Sequence, residues 1–313
     1  MERRWVPRAE LDAVCDERLG DAALDGLWVA GSIDGLRAPC VAVVGTRAPS
    51  DDGRRRARRL AQDLAQSGVC VVSGLALGID GAAHEGALAA RAPTVGVLGG
   101  GHAHFFPPRH RELAARIVTR GGAVVSPFAP DVVPKPWMFL ARNAVIAALV
   151  DAVVVVEAAE RSGALNTAGH GADRGIPVLA FPGEVERPKA AGCNALIRDG
   201  ATLVRDADDV LAALPLRLVP DVRGDLQDRA AGERGEDEHD GDGVLAREAD
   251  SPPVRRLLTT LRESGPLDAG TLADRVDLPP ALLFPLLTEL ELAGRIGGGA
   301  DGYSVRPSSR ARD

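Results

Sequence analysis

No stretch of this sequence is apolar for long enough to cross a bilayer. The most hydrophobic segment, Ala144 to Ala159, is broken by Asp151 and Glu157, whereas a spanning helix needs about 20 apolar residues. The opening MERRWVPRAELD has basic residues but no apolar run behind them, which predicts no secretory signal. Cys15, Cys40, Cys70 and Cys193 show no paired spacing, so the chain reads as a cytoplasmic protein with reduced thiols rather than a disulfide scaffold. Lysine is almost missing: Lys135 and Lys189 are the only two, and the rest of the positive charge is arginine. Internal repeats are missing too. What remains is an ordinary globular balance, 45% hydrophobic and 26% charged over 313 residues. That excludes a disordered or fibrous protein and suggests roughly two domains of about 150 residues.

The net charge of -7 comes from one place. Residues 221–250 hold eleven acidic and four basic side chains, and the rest of the chain is balanced at 33 of each. The acidity therefore says nothing against a polyanionic partner elsewhere.

From about residue 41, short β-branched runs alternate with amphipathic ones. Val41–Gly45, Cys70–Ser73, Thr94–Leu98, Ala123–Ser126, Ala152–Glu157 and Pro177–Phe181 are near-continuously apolar, as parallel strands buried on both faces are. Helical patterns at Asp51–Gln66, Asp80–Arg91 and Arg109–Arg120 fall between them. This alternation predicts an α/β fold, a Rossmann-like doubly wound and mainly parallel sheet, with ligands at the carboxyl ends of its strands. That domain is placed at 38–213. Residues 1–37 are too few for a core of their own and are expected to pack on it, with Leu27–Ala30 as one more strand. Residues 214–252 read as an acidic flexible linker. In 253–306, leucines at helical spacing precede a glycine-rich turn within Arg295–Val305, the outline of a small winged-helix domain. Residues 307–313 form a tail.

Small residues gather where the strands end. Gly45-Thr46-Arg47 follows the first, Ser73-Gly74 closes the second, and Arg161-Ser162-Gly163 comes shortly after the strand that ends at Glu157. Glycine lets an anion approach the main chain, and a helix N-terminus offers unpaired N–H groups with about half a positive charge. Several such corners side by side suit a chain of phosphates. In Lys135-Pro-Trp-Met-Phe139-Leu-Ala-Arg142-Asn143, a helix starting near Phe139 sets Phe139 and Arg142 three apart on one face. A ring and a guanidinium there are the parts needed to stack a base and hold its phosphate, but the spacing by itself fits a core Phe with a surface Arg better.

Other signals weigh less. Asp80 and His84, one helical turn apart, read as a helix cap and a main-chain anchor rather than an acid–base pair. His102 and His104 lack neighbouring ligands and read as surface loop residues, so no metal is expected. Gly99-Gly100-Gly101 is no dinucleotide fingerprint, and no cofactor is expected. The arginine run Arg54–Arg59 fits a solvated helix face as well as a nucleic-acid track.

Taken in order, Gly45-Thr-Arg47, Ser73-Gly-Leu-Ala-Leu-Gly-Ile-Asp80-Gly-Ala-Ala-His84-Glu-Gly-Ala-Leu88, Phe139-Leu-Ala-Arg142-Asn143, Arg161-Ser-Gly-Ala-Leu-Asn-Thr167 and Gly192-Cys-Asn194 resemble the DNA processing protein A (DprA, also Smf) family. The resemblance runs from about 27 to 205, and the tail is similar to the winged-helix domain that many members carry. It implies a non-catalytic, homodimeric, cytoplasmic protein that binds single-stranded DNA and loads a RecA-type recombinase in natural transformation. By matching position, Gly45, Thr46, Arg47, Ser73, Gly74, Arg161, Ser162 and Gly163 would line a phosphate pocket. Phe139 and Arg142 would contact the strand, with Lys135 and Asn143 beside them. The family's usual Arg-Asn-Arg reads Arg142-Asn143-Ala144 here, and its Ser-Gly-Ser-Leu-Ile-Thr reads Ser162-Gly-Ala-Leu-Asn-Thr167.

Two other readings compete. A phosphoribohydrolase of the related cytokinin-activating family would share the phosphate corner. Its Pro-Gly-Gly-x-Gly-Thr signature has only Pro182-Gly183-Glu184 as a counterpart. A transcriptional regulator would read duplex DNA through the winged helix, but the third helix there, 280–294, has no basic residue and carries Glu289 and Glu291. Phosphates would repel that face.

Overall fold

The computed structural model describes residues 2–215 and, further on, 252–276 with parts of 278–305. The acidic segment read as a linker falls almost wholly outside the described residues. The chain divides into two compact units, Met1–Pro220 and Asp221–Asp313.

The first unit is built on one nine-stranded sheet. Its central strands are β3 (Cys40–Val44), β4 (Cys70–Ser73), β5 (Thr94–Val97), β6 (Ala123–Ser126), β7 (Ala152–Val155), β8 (Val178–Ala180) and β9 (Thr202–Leu203), all mutually parallel. Ahead of them come β1 (Arg4–Pro7) and β2 (Gly26–Gly31), joined by helix α1 (Arg8–Cys15). The order is β1-β2-β6-β5-β4-β3-β7-β8-β9. Both N-terminal strands pair antiparallel, β2 against β6 and β1 on the outer edge. The segment 1–37 thus extends the sheet.

Period-two alternation makes the two layers. Val41, Val43, Val71, Ala152 and Val154 face one cluster, with Leu60, Leu64 and Ala83. Those residues come from α2 (Asp51–Gln66) and α3 (Ile79–Ala89). Ala42, Val44, Val72, Val153 and Val155 face the other, with Ile146 and Ala168 from α5 (Pro136–Ala148) and α6 (Gly163–Asp173). Helix α4 (Arg111–Thr119) covers β5 and β6, and α7 (Ala191–Arg198) and α8 (Ala207–Ala213) complete the unit. Burial on both faces is why the central strands read as unbroken apolar runs. Among the described residues no helix is long and apolar enough to cross a membrane, and the four cysteines are free and buried.

Topology positions the site. From β3 the chain moves outward through β4, β5 and β6, then returns to β7 on the other side of β3. The two directions diverge between β3 and β7, which opens a crevice beyond their carboxyl ends.

In the second unit α9 (Pro252–Ser264) and α10 (Ala269–Val276) precede the hairpin β10 (Ile296–Gly299) and β11 (Gly302–Val305). Leu257, Leu258, Leu261, Leu272 and Val276 are buried, as are Leu283, Leu286, Leu287 and Leu290. Much of the third helix read at 280–294, Glu289 included, lies outside the described residues.

One buried ion pair fastens the N-terminal segment to the sheet. Arg18 Nη1 donates to Asp151 Oδ2 at 3.0 Å, with both side chains under 10% exposed. The same carboxylate oxygen accepts from the Cys40 amide at 2.8 Å, and Arg18 also donates to the carbonyls of Cys15, Ala38 and Leu36. Removing one partner of a buried pair strands the other charge. Arg18→Ala is therefore expected to cost about 3–5 kcal/mol, read as a lower denaturation midpoint, and a joint replacement of Arg18 and Asp151 by apolar residues should recover much of it. A loss under about 1 kcal/mol would show that the pair does not hold the segment in place.

Candidate nucleic-acid interface at the sheet mouth

A cleft of ≈ 290 Å³ lies at the divergence, lined among others by Gly45, Thr46, Arg47, Asp80, Phe139, Arg142, Asn143, Ser162 and Gly163. Three corners read from the sequence meet there, and they differ in what they offer.

The corner after β3 is tight. A Cβ on Gly45 would lie 2.6 Å from Ile79 Cγ1 and 2.8 Å from the Glu157 carbonyl, so only glycine fits. The Thr46 amide donates to that same carbonyl at 2.7 Å. This bond ties the β3 loop to the end of β7 and turns the chain outward. Arg47 is exposed, and its guanidinium lies over the Phe139 ring, 5.6 Å from the centroid.

The corner after β7 is open. Ser162 is the N-cap of α6, its Oγ accepting from the Ala164 amide at 3.3 Å. Gly163 is exposed, with nothing within 4 Å of where a Cβ would stand. The positive end of α6 therefore faces the cleft. Arg161 is exposed and, among the described residues, in no ion pair, but it does not line the cleft.

The corner after β4 is closed by the protein's own groups, and Ser73 and Gly74 do not line the cleft. Ser73 is fully buried and its hydroxyl donates to the Val43 carbonyl at 2.7 Å. The amides of Gly74 and Ala76 donate to Asp80 Oδ2 at 3.1 and 3.3 Å. The anion held at this corner is the protein's own carboxylate. Nor is Asp80 the helix cap: Gly78, at φ 87°, stands at that position. Burial pushes the Asp80 carboxyl up, while Arg142 and the two amides pull it down.

Arg142 lies at the base of the cleft. It is 4% exposed, its Nη1 donating to the carbonyls of Gly74 and Val97 and its Nε to Asn143 Oδ1 at 3.2 Å. Burial lowers its pKa to about 10, with Asp80 pulling the other way, so it stays cationic at neutral pH. From the base of the cleft it offsets the charge of Asp80. Asn143 passes the link on, its Nδ2 donating to Gly163 O and Asn166 Oδ1, each at 3.2 Å. Lys135 is exposed just ahead of α5, its amide donating to Met138 Sδ at 3.2 Å, and lies outside the cleft lining.

Three further residues differ from expectation or were missed. His102 is buried, its Nε2 2.9 Å from the Val124 carbonyl, so it is no surface residue. Leu140 and Thr167 line the cleft. The helical periods of α5 and α6 give the signal that could have found them, because Leu140 lies three residues before Asn143 and Thr167 four after Gly163. Among the described residues no three potential metal ligands converge.

With this geometry in place, comparison with known proteins is decisive. Residues 19–215 match the family described as DNA recombination-mediator protein A, and residues 245–302 match the DprA winged helix domain. The chain belongs to the DNA recombination-mediator protein A family. It is 38% identical to Protein Smf of Escherichia coli (strain K12) over 286 residues, covering 88% of this chain and 70% of that protein. Further curated relatives, 36–45% identical, are covered over 44–65% of their own length. The X-ray structure of DNA processing protein A from Streptococcus pneumoniae is similar with a TM-score of 0.63 at 36% identity, over 69% of this chain and 75% of that one. A DNA processing protein A from Helicobacter pylori, described for its single-stranded DNA binding mode, shares the fold with a TM-score of 0.59 at 24% identity, over 73% and 97% of the two chains.

His84 supplies a measurable property of the same region. It is fully buried, with Nδ1 2.9 Å from Thr94 Oγ1, and burial pulls its pKa from 6.5 down to about 3. The unfolded chain takes up this proton near pH 6.5 and the folded chain only near 3. The stability is complete above pH 6.5 and drains away as pH falls through that window, at about 1.4 kcal/mol per pH unit. His84→Gln should flatten the loss of stability between pH 6.5 and 4 measured by denaturant titration. An unchanged slope in the variant would show that the acid sensitivity comes from other groups.

Proposed function

We propose that this chain is a non-catalytic single-stranded DNA-binding protein. It shelters a flexible strand at the sheet mouth and passes it to a RecA-type recombinase in recombination or natural transformation, acting as a cytoplasmic homodimer. The observation that carries the reading is the open half of the cleft. The N-terminus of α6, with Ser162 and Gly163, faces an exposed Arg47 stacked on Phe139. That is a phosphate seat next to a ring. Membership of the DNA recombination-mediator family and the strand binding attributed to its H. pylori relative support the same substrate class.

The phosphate seat we propose is Gly45, Thr46, Arg47, Ser162 and Gly163, with Phe139 alongside and Arg161 and Lys135 on the approach. Ser73, Gly74 and Arg142 build the floor. Catalysis finds little support in the one acid–base pair the sequence offered. Asp80 is engaged with two amides and His84 with Thr94 inside the core. The Pro182-Gly183-Glu184 segment lines a different cleft, which weighs against a phosphoribohydrolase built around Thr46.

Phosphate contacts dominate binding of this kind and respond to salt. Arg47→Ala is expected to weaken binding of every oligonucleotide sequence alike and to reduce the salt slope by about one charge, with no change in thermal midpoint because Arg47 is exposed. Filter binding of labelled oligothymidylate over a salt series checks this, and an unaltered slope with undiminished affinity would remove Arg47 from the interface.

A further inference from the structure

Aromatic side chains are scarce here, six Phe, three Trp and one Tyr in 313 residues, yet Phe105, Phe106, Phe128, Trp137 and Phe139 all fall between 105 and 139. Phe105 is buried against α4. The other four sit around the first turn of α5 as two edge-to-face pairs. Phe106 meets Phe139 with centroids 5.8 Å apart, and Phe128 meets Trp137 at 5.9 Å. An edge contact uses only part of a ring, and both outer members stay open to solvent, Phe106 at 51% and Trp137 at 57% exposure.

The two pairs are continuous with the cleft. At 100° per residue around the α5 axis, Leu140 falls between Phe139 and Trp137. Leu140 is 54% exposed and lines the cleft along with Phe139. On the other side Phe106, Pro107 and Phe139 line a slot of ≈ 100 Å³ that they share with Arg47. An apolar, ring-bearing rim therefore runs from the phosphate seat to Trp137, with the exposed cations Arg47 and Lys135 along it. Apolar surface of this kind is unusual on an isolated soluble chain. Its adjacency to a phosphate seat selects the occupant, because successive unpaired bases offer π-faces at the reach of the backbone that the seat holds.

We infer that Trp137, backed by Phe128 and linked through Leu140 to Phe139 and Phe106, is a second base-stacking platform, so that the strand leaves the phosphate seat around the N-terminus of α5. The inference rests on the single-strand reading above and adds to it the exit path and the residue that marks it. Stacking is indifferent to base identity, so the platform adds affinity without sequence preference.

Trp137 reports on itself. The other two tryptophans, Trp5 and Trp28, pack together 5.6 Å apart on β1 and β2, and Trp5→Phe with Trp28→Phe leaves Trp137 as the sole emitter. In that background, low-salt titration with oligothymidylate should quench the emission to saturation. An abasic deoxyribose-phosphate strand should bind, by competition in filter assays, without quenching. Trp137→Ala should lower affinity for oligothymidylate roughly tenfold and leave the abasic strand unaffected, and Trp137→Phe should restore most of the loss. Arg47-dependent binding of oligothymidylate with no quenching, or an equal loss for both strands, would overturn the platform while leaving the phosphate seat intact. Should Trp137→Ala instead abolish self-association in sedimentation at unchanged DNA affinity, the rim is a contact between copies and the inference fails. If neither strand binds the parent protein, the single-strand reading fails together with it.

Discussion

A carboxylate set under the mouth of the sheet would repel any polyanion brought to it, and in this protein Arg142 meets that charge from below. Asp80 holds the amides of Gly74 and Ala76. Arg142 closes the same turn through the Gly74 carbonyl and ties it to Val97 at the end of β5. The arrangement neutralises the floor and fixes the β4 corner at once. Both groups are buried, so neither could be left alone without a heavy desolvation cost. With that corner satisfied internally, positive potential at the crevice comes from the N-terminus of α6 and from Arg47. Asn143 couples the two halves, since it is bonded to Arg142 on one side and to the Gly163 carbonyl on the other.

The doubly wound order explains why these residues meet although they are far apart in sequence. The β3 loop, the turn after β4, α5 and α6 all converge where the strand order reverses about β3. A glycine is required only where the walls touch. At Gly74 a Cβ would lie 2.6 Å from the Asp80 carboxylate and 2.7 Å from Arg142, a measure of how tightly the floor is closed. Ala144 follows Asn143 in the chain and brings no polar side chain to this network. The floor is complete among the described residues without one.

Much of the fold was legible because it rests on local pattern. Helix α2 begins and ends where the sequence indicates, since Ser50 caps it through the Gly53 amide and its apolar stripe is unambiguous. The central strands read clearly because both faces are buried. What was not legible depends on distant partners. Strand β1 is four residues long with a single buried side chain, too short to show a period. Its antiparallel pairing, like that of β2, follows from the edge it joins and not from its composition. In the site, the glycines and hydroxyls could be placed at strand ends from the pattern, whereas Phe139 was singled out by the family resemblance, its spacing alone fitting a core residue better. The direction of each bond was not legible: nothing local says that Ser73 spends its proton on Val43, that the Gly74 amide is taken by Asp80, or that Arg142 points inward. A sequence shows which groups can bind an anion but not which already hold one.

At the crevice an internal carboxylate holds one corner, and the proposed strand phosphate would take the others. A crystal structure with a short oligothymidylate tests this arrangement most directly. A phosphate bonded to Ser162 or Gly163 and reached by the Arg47 guanidinium is the expected result, with Asp80 still on the amides of Gly74 and Ala76. A phosphate on the Gly74 amide with Asp80 displaced, or a bound strand that leaves the α6 N-terminus empty, would contradict it.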